Sequence, residues 1–289
     1  MENNCYIGVD IGGTTFSSGL FDNSLNLLEK SKKELISNYH NRDELLYAIA
    51  DQIKSLIKVN NISGVGISCP GPLNARDGII LDTPNLKILQ NCNLKHELES
   101  NLKILCKIEN DANLFALGEY FNNKPKNIVF IGITLGTGLG FGIVINGKLF
   151  TGGNGMAAEY GISPINNNSW ETYNSIRWIE KKALDIYSCK MSPEEIYDLA
   201  LNNDEKAILI WNEFGQNLGN CLSHAINMLD PNSISIGGGL SHAYNFFEES
   251  MVESIKLHSP SYLENDIKIY ESKLKENAAM LGATLLFNN

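Results

Sequence analysis

The chain has 289 residues, a formal net charge of −10 at pH 7, 43% hydrophobic residues and 19% charged residues. This composition is typical of a globular protein with a sizeable core, and the length suffices for two ordinary domains. The negative charge argues against a nucleic-acid or anionic-membrane surface, although a local site can still hold a nucleotide. No apolar run approaches ~18 residues, and the N-terminus lacks a secretory signal pattern. We therefore expect a cytoplasmic protein.

The cysteines and histidines are widely scattered. There is no C-x-x-C pair and no H-x-x-x-H pair among the six cysteines and five histidines. A disulfide framework and a cysteine-rich metal site are therefore disfavoured, and we expect thiols in or near the core. No set of ligands for a structural zinc ion is evident.

The chain begins with a predicted β-meander. Strands are predicted over Tyr6 to Ile11, over Phe16 to Phe21 and around Leu25 to Leu28, and the first strand ends at Gly12-Gly13-Thr14-Thr15. A turn with so little side chain lets backbone N–H groups converge on an anion. Asp10, at the end of the first strand, is a hard oxygen donor of the type that Mg²⁺ prefers; the alternative is that it caps the turn.

The next segment contains a candidate proton acceptor. The pattern predicts a helix over Arg42 to Val59, a strand over Gly64 to Ser68, a loop over residues 73–92, a strand over Leu102 to Ile108, and a helix that begins after Glu109-Asn110-Asp111. A carboxylate at such a strand–helix junction can accept a proton from a sugar hydroxyl, and the neighbouring Asn110 can bind an adjacent hydroxyl. The alternative is that Asp111 only caps its helix.

The stretch from Asn127 to Gly161 repeats the order of the first hairpin. It contains a predicted strand over Ile128 to Ile133, the turn Thr134-Leu135-Gly136-Thr137-Gly138, and a strand over Phe141 to Ile145 that leads to a tight turn. The same order occurs roughly 125 positions earlier, which indicates an internal repeat. We expect two similar lobes that each present a phosphate-binding hairpin to a shared cleft; the alternative is a chance match of two glycine-rich hairpins.

The remainder of the chain is mostly helical. Helices are predicted over Trp170 to Ile186, from Ser192-Pro193-Glu194-Glu195 onward, and over Glu205 to Leu229, Ala243 to Leu257 and Glu276 to Phe287; strands are predicted over Ser233 to Ile236, before Gly237-Gly238-Gly239, and over Asp266 to Tyr270. This alternation predicts mixed α/β lobes. We expect an N-terminal lobe of residues 1–112, joined by the C-terminal helix 276–289, and a C-terminal lobe of residues 113–275.

Several of these motifs, in this order and spacing, resemble the ROK family of sugar kinases. They are Asp10-Ile11-Gly12-Gly13-Thr14, Pro70-Gly71, Glu109-Asn110-Asp111-Ala112-Asn113, Leu135-Gly136-Thr137-Gly138 and Gly237-Gly238-Gly239. The resemblance implies the two-lobed, actin-like (ribonuclease H-like) ATPase fold, with a duplicated βββ-hairpin core and an interlobe cleft. It also implies ATP and Mg²⁺ as cofactors and a homodimeric assembly.

The resemblance implies a role for individual residues. Asp111 would be the general base that takes the proton of the sugar 6-hydroxyl, and Asp10 would hold Mg²⁺ directly or through water. The residues expected at the ATP phosphates and nucleotide are Asp10, Gly12, Gly13, Thr14, Thr15, Thr134, Gly136, Thr137, Gly138, Gly238 and Gly239. Those expected at the sugar are Asn85, Asn110, Asp111, Glu159 and Glu171.

Two features depart from the family pattern. Thr15 stands where the family often has a lysine after Gly-Gly-Thr. Ile162 stands where the family has a sugar-contacting histidine, and residues 166–169 contain none of the cysteines of the family's zinc loop. We therefore expect no zinc, with Glu159 and Glu171 retained on the C1–C2 side of the sugar.

The preferred function is phosphorylation of the 6-hydroxyl of N-acetylmannosamine, a step of sialic acid catabolism. This choice rests on the resemblance to compact, zinc-free members of the family. A glucokinase is the second possibility, and a kinase of fructose or N-acetylglucosamine the third. A catalytically inactive sugar sensor is a different class of function, against which the retention of Asp10 and Asp111 argues. The family's DNA-binding repressors are disfavoured because the first strand begins by about Tyr6 and the net charge is negative.

Overall fold

The computed structural model describes residues 4–57, 61–123 and 128–287. Its strands are β1 (Asn4–Ile11), β2 (Thr15–Phe21), β3 (Leu27–Lys30), β4 (Glu34–Leu35), β5 (Asn61–Cys69), β6 (Leu73–Asn74), β7 (Ile79–Ile80), β8 (Cys92–Asn93), β9 (Cys106–Asn110), β10 (Val129–Leu135), β11 (Leu139–Ile145), β12 (Lys148–Leu149), β13 (Pro164–Ile165), β14 (Asn168–Ser169), β15 (Ser233–Gly237) and β16 (Lys268–Glu271). Its α-helices are α1 (Arg42–Leu56), α2 (Leu94–Leu102), α3 (Asp111–Asn123), α4 (Trp170–Tyr173), α5 (Ile176–Tyr187), α6 (Pro193–Leu201), α7 (Glu205–Leu229), α8 (Tyr244–His258), α9 (Pro260–Glu264) and α10 (Ala278–Leu285).

The described residues fall into two compact units. The first takes its residues from Met1–Lys124, Leu149–Ala157 and Glu276–Asn289, and the second from Pro125–Lys148 and Ala158–Lys275. This division differs from the sequence-based boundary between residues 112 and 113, because α3 packs against α10 and both helices lie in the first unit.

The first unit is built on a sheet with the strand order β3-β2-β1-β5-β9. β1 and β2 are antiparallel, whereas β5 and β9 run parallel to β1. Successive residues of β1 point to opposite faces. Ile7 and Val9 pack into a core with α1 and α2, while Gly8 faces the backbone of α10 at Met280. Asp10 therefore projects on the face that carries α10.

The second unit repeats this arrangement with the order β12-β11-β10-β15-β16. Its core is formed by the sheet and by residues of α5, α7 and α8. In both units a glycine pair lies opposite across the hairpin, Gly8 with Gly19 and Gly132 with Gly142. The duplicated βββ hairpin that the sequence predicts is confirmed, and the structure adds that two parallel strands follow each hairpin in the same order.

Helices with local capping signals lie where the sequence predicts them. The Ser192 hydroxyl accepts from the Glu195 N–H while the Glu195 carboxylate accepts from the Ser192 N–H, so the predicted capping box starts α6. The carboxylate of Asp204 caps α7, which ends before Asp230 in the left-handed region at φ 44°. These ends are set by residues beside the helix, which is why a single sequence suffices to predict them.

Other segments differ from the expectation. Residues 73–92 include β6, β7 and β8, which form a small sheet instead of a loop. The structure also contains the helix α2, which was not predicted and which includes Leu102, the first residue of a predicted strand. The residue that follows the helix, Lys103, is in the left-handed region at φ 57°. The helix predicted over Trp170 to Ile186 is divided into α4 and α5. The last two residues of the predicted helix Arg42 to Val59, Lys58 and Val59, lie outside the described residues. Asn127, the first residue of the stretch Asn127 to Gly161, also lies outside them.

Five of the six cysteines are buried and Cys189 is exposed. Over the ranges 4–57, 61–123 and 128–287, no helix is both long and apolar enough to cross a membrane.

Candidate active site

The first group of predicted site residues meets at one edge of the first sheet. In the parallel strands β1, β5 and β9, Asp10 pairs with Ser68, and Ser68 pairs with Glu109. Asp111 follows directly as the first residue of α3. Parallel strands bring their carboxyl ends to a common edge, where ligands of α/β proteins bind. Asp10 and Asp111 thus lie at the same edge, two strands and roughly 10 Å apart at the usual strand spacing.

Asp10 is partly buried at this edge. The Ser68 Oγ donates a 2.9 Å hydrogen bond to Asp10 Oδ1. Burial raises the pKa of Asp10, while the Ser68 hydrogen bond and the charges of Lys33 and Lys30 lower it, and burial prevails. A carboxylate in this setting gains by acquiring a cation partner.

Asn110 and Asp111 make different hydrogen bonds at the start of α3. Asn110 Oδ1 accepts from the N–H groups of Ala112 at 3.0 Å and Asn113 at 3.3 Å, so the Asn110 side chain caps the helix. Asp111 Oδ1 accepts from the Ala112 N–H at 2.8 Å. The capping role considered for Asp111 is therefore carried largely by its neighbour.

Glu109 fixes the strand end that carries these two residues. Its Oε1 accepts from the Asn110 N–H at 2.8 Å and from Asn113 Nδ2 at 3.1 Å. Burial raises the pKa of Glu109, and these two hydrogen bonds only partly oppose the shift. The motif Glu109-Asn110-Asp111-Ala112-Asn113 contains Glu109 but indicates no role for it, so its supporting role becomes visible only in the structure.

The glycine loop after β1 packs against the segment that carries Asn85. The Gly12 N–H donates to the Thr15 carbonyl at 2.8 Å and closes the turn. A Cβ on Gly13 would lie 2.9 Å from the Asn85 carbonyl oxygen. The buried Thr83 hydroxyl donates to the Gly71 carbonyl at 2.7 Å and anchors this segment. The structure therefore brings Asn85 beside the loop of Gly12 to Thr14.

The second unit presents the equivalent turn between β10 and β11. Thr134 lies in β10, and the Gly136 N–H donates to the Gly138 carbonyl at 3.0 Å. Gly238, at φ 86°, lies against β10 so closely that a Cβ would be 2.3 Å from the Leu135 carbonyl oxygen. Thr137, Gly238 and Gly239 are exposed. The glycine run after β15 and the Thr134–Gly138 turn are thus neighbours, as the sequence-based assignment to one nucleotide requires.

Glu159 and Glu171 lie near each other in the second unit. Glu171 lies in α4, and its Oε2 accepts from the Leu139 N–H at 3.2 Å. Partial burial and the charge of Glu171 raise the pKa of Glu159, whose side chain remains accessible to solvent. Two adjacent carboxylates with differing environments can accept hydrogen bonds from neighbouring hydroxyls.

Comparison with known proteins places this geometry in a family. Residues 6–289 match the ROK family. The chain belongs to the ROK family. The glucokinase of Thermotoga maritima is 30% identical, over 96% of this chain and 95% of that protein. The N-acetyl-D-glucosamine kinase of Histophilus somni is 30% identical, over 98% of each chain.

The structural comparison agrees. The ROK family glucokinase of Streptomyces griseus, solved in complex with glucose and AMPPNP, has a TM-score of 0.83 and 25% identity, with 98% of each chain covered. The chain therefore has the actin-like ATPase fold of the ROK sugar kinases.

The segment that carries the zinc loop in the ROK pattern is here a short hairpin. β13 and β14 are joined through Asn166 and Asn167, both in the left-handed region at φ 46° and 64°. Asparagine tolerates this conformation better than other residues with a Cβ. A capping box between Ser169 and Thr172 then starts α4.

Trp170 anchors this hairpin to the core. It is buried at 4% exposure, its N–H donates to the Ser163 carbonyl at 3.3 Å, and its ring packs edge-on against His224 with centroids 5.2 Å apart. Asn174 Nδ2 donates to the Trp170 carbonyl at 2.9 Å. Packing and hydrogen bonds around Trp170 thus hold Glu171 in place.

The donor set also bears on metal binding. Across the part of the chain that the structure describes, no group of three or more His, Cys, Asp or Glu side chains could hold a metal ion. Mg²⁺ in nucleotide sites is commonly bound by one or two carboxylates together with waters and phosphates. Asp10, a single hard donor at the sheet edge, fits that mode of binding.

Two basic residues that belong to no sequence motif also lie near the turn between β10 and β11. Arg177 and Lys181 of α5 line a pocket of about 530 Å³ together with Thr137 and Glu171. Their spacing is that of an ordinary solvated helix face, so the sequence alone does not single them out.

Proposed function

We propose that this ROK protein is an ATP-dependent kinase that phosphorylates the 6-hydroxyl of a hexose or N-acylhexosamine. The observation that carries the proposal is the placement of Asp10 and Asp111 at the same edge of one sheet. Phosphoryl transfer requires held phosphates, neutralised charge and an aimed acceptor oxygen, with little covalent work by the protein. One carboxylate for the cation and one for the acceptor satisfy the last two requirements.

Asp111 is the proposed general base. It accepts the proton of the sugar 6-hydroxyl as the oxygen attacks the terminal phosphoryl group. Because Asn110 also caps α3, the base sits on a helix start that does not depend on the Asp111 carboxylate alone. Mg²⁺, when bound through Asp10 or its water, would offset phosphate charge.

The phosphate-binding residues are proposed on both glycine turns. Gly12, Gly13, Thr14 and Thr15 offer backbone and hydroxyl donors after β1, and Thr134, Gly136, Thr137 and Gly138 offer the same between β10 and β11. Gly238 and Gly239 would border the nucleotide. Exposed amides on a turn with few side chains are well suited to anionic oxygens.

The sugar is proposed to contact Asn85, Asn110, Asp111, Glu159 and Glu171. We infer that N-acetylmannosamine is the preferred substrate, since Ile162, which replaces the family's histidine, is 64% exposed and leaves an apolar surface beside Glu159. An apolar residue there suits the methyl of an N-acetyl group better than a bare hydroxyl. Glucose and N-acetylglucosamine, named in the relatives' activities, are the alternatives, followed by fructose.

A sugar panel tests both levels of this proposal. ADP release by the purified full chain, with ATP and Mg²⁺, would be compared on N-acetylmannosamine, glucose, N-acetylglucosamine and fructose. We expect the highest kcat/KM on N-acetylmannosamine. Turnover on glucose with none on N-acetylmannosamine would contradict the preferred substrate and leave the kinase intact. Sugar binding without ADP release on any of the four would instead favour the inactive sensor.

A further inference from the structure

The segment that carries Glu171 holds the β10–β11 turn at two points. Glu171 Oε2 accepts from the Leu139 N–H at 3.2 Å, at the point where β11 begins. The Ile176 N–H donates to the Gly136 carbonyl at 2.9 Å, on the other side of the turn. Both contacts lie within the second unit. They connect the proposed sugar side of the site to the proposed phosphate turn.

The fit at Gly138 is close. A Cβ at this position would lie 2.2 Å from Glu171 Oε2 and 3.0 Å from its Cδ. The carboxylate therefore rests directly on the turn and occupies the space that any other residue would fill. Glu171 Oε1 would be 3.7 Å from the same Cβ, and none of the described residues donates a hydrogen bond to it.

We propose that Glu171 is a positioning residue for the phosphate turn as well as a sugar ligand, with Oε2 committed to the Leu139 N–H and Oε1 left for a sugar hydroxyl. This inference rests on the proposed function, because it takes the turn to bind phosphate and Glu171 to bind sugar. A turn held in one conformation before the nucleotide arrives binds it without an ordering cost. Nucleotide affinity should therefore depend on a residue of the sugar side, even when no sugar is present.

The first test compares two substitutions of Glu171: one removes the hydrogen-bond acceptor and the other removes only the negative charge. Binding of AMP-PNP with Mg²⁺ to the full chain, without sugar, would be measured by calorimetry. Glu171→Ala removes the acceptor for the Leu139 N–H and should weaken binding about tenfold, the usual effect of losing a hydrogen bond to a charged group. Glu171→Gln keeps an acceptor oxygen, and its AMP-PNP affinity should stay within about threefold of the native protein. N-acetylmannosamine affinity should fall in both variants.

The second test uses the close fit at Gly138. Gly138→Ala places a methyl on Glu171 Oε2, which is the end of a flexible side chain, so the carboxylate should move and the backbone should stay. The variant should therefore fold with an unchanged melting temperature and lose AMP-PNP affinity about as much as Glu171→Ala. The double variant Gly138→Ala/Glu171→Ala should bind AMP-PNP no more weakly than Glu171→Ala alone. The effects of two substitutions that act through the same contact do not add.

The outcomes are distinguishable. Additive losses in the double variant would show that the methyl introduced by Gly138→Ala blocks phosphate directly, and would overturn the inference. Native AMP-PNP affinity in Glu171→Ala would also overturn it, while ADP release on a sugar would still support the kinase. Failure of the native chain to bind AMP-PNP would defeat both the proposed function and the inference.

Discussion

At the residue scale, two neighbouring residues at the start of α3 have different roles: Asn110 caps the helix, and Asp111 is the proposed base. The Asn110 side chain accepts from two N–H groups of the first turn, so the helix keeps a cap when its neighbour is changed. Cys69, on the adjacent strand, reports the same crowding of acids: its pKa is raised well above the ordinary value by burial and then by the charges of Asp111 and Asp10. Asp111 therefore leaves the main capping role to Asn110 and lies close to the edge at which Asp10 is found.

Asp111→Asn should reduce kcat by roughly 10² or more while sugar binding remains measurable, since an amide cannot accept the hydroxyl proton. Steady-state ADP release and calorimetric sugar titration would separate the two effects. Asp43→Asn provides a matched control, because it removes an acid from the first turn of α1 in the same way. Near-normal turnover in Asp111→Asn would require a different base.

The sequence predicted Asp10, Asp111 and Glu171 as site residues, but it could not predict the contacts that position the two halves of the site. Glu109 and Glu171 act through partners that only the folded chain brings together: Glu109 on Asn113 across a helix turn, and Glu171 on Leu139 some thirty positions away. Gly238 is a similar case. Its run of glycines indicates a turn, but only the structure shows that it must clear the Leu135 carbonyl.

At the element scale, the β13–β14 hairpin and α4 are held by packing and hydrogen bonds. The left-handed asparagines, the Ser169–Thr172 capping box and the buried Trp170 ring together define the position of Glu171. We expect elemental analysis of protein purified without added metal to find well below one zinc per chain. Chelator treatment followed by restoration of Mg²⁺ should leave activity and melting temperature unchanged. About one bound zinc, lost together with activity, would contradict this.

The ion cluster formed by Lys30 of β3, Lys33 before β4 and Glu276 before α10 depends on pH. Glu276 bonds Lys30 Nζ at 2.6 Å and Lys33 Nζ at 2.5 Å, and these contacts lower its pKa from 4.5 to about 2. The pKa of Glu276 is lower in the folded than in the unfolded protein. The contribution of its ion pairs to folding stability is therefore complete above pH 4.5 and is lost as the pH falls through about 2.

Glu276→Gln should therefore reduce the free energy of unfolding at pH 7, and this effect should fade as the pH falls from 4.5 through about 2. The side chain is 54% exposed, so solvent screening limits the difference to at most about 1 kcal/mol. Chemical denaturation across this pH range would measure it. Glu253→Gln, the same change at an exposed position of α8, is the control and should show no such window. A pH-independent effect of Glu276→Gln would mean that the ion cluster is not its cause.

Elements were predictable where the signal is local and long enough. The 25-residue α7 has a cap, a continuous apolar stripe and a stop, and its bounds are those predicted. The two-residue strands β6, β7 and β8 have no room for an alternating pattern, and α2 buries just Leu94 and Leu98 and packs Leu102 partly against the core. The break between α4 and α5 falls at Asn174 and Ser175, both buried, which an amphipathic pattern cannot reveal.

At the scale of the whole molecule, the internal repeat is a confirmed prediction, and each unit is assembled from separated segments of the chain. The two glycine-rich hairpins predicted from the sequence belong to two sheets that share the same order of five strands. The chain, however, returns to the first unit at residues 149–157 and again from residue 276. Such returns depend on contacts between distant segments. The packing of α3 on α10 is one of them, and it places α3 in the first unit, whereas the expected boundary lies before α3.

The last described helix therefore completes a unit that begins at the other end of the chain. α10 packs on β1, β5 and α3, and its Met280 is 1% exposed. Met280→Ala should destabilise the first unit by roughly 2–5 kcal/mol, the usual cost of truncating a buried methionine. Met228→Ala, the same substitution at a 67% exposed position, should change stability by less than about 0.5 kcal/mol.

The three tryptophans make this prediction specific to one unit, because Trp170, Trp178 and Trp211 all lie in the second unit. Among the residues that the structure describes, the hydrophobic cores of the two units have no member in common. In urea, Met280→Ala should therefore give an early far-UV circular dichroism transition while the tryptophan fluorescence transition stays near its native midpoint. Coincident movement of both signals would mean that the two units unfold as one cooperative block, since coincident probes are the mark of two-state behaviour.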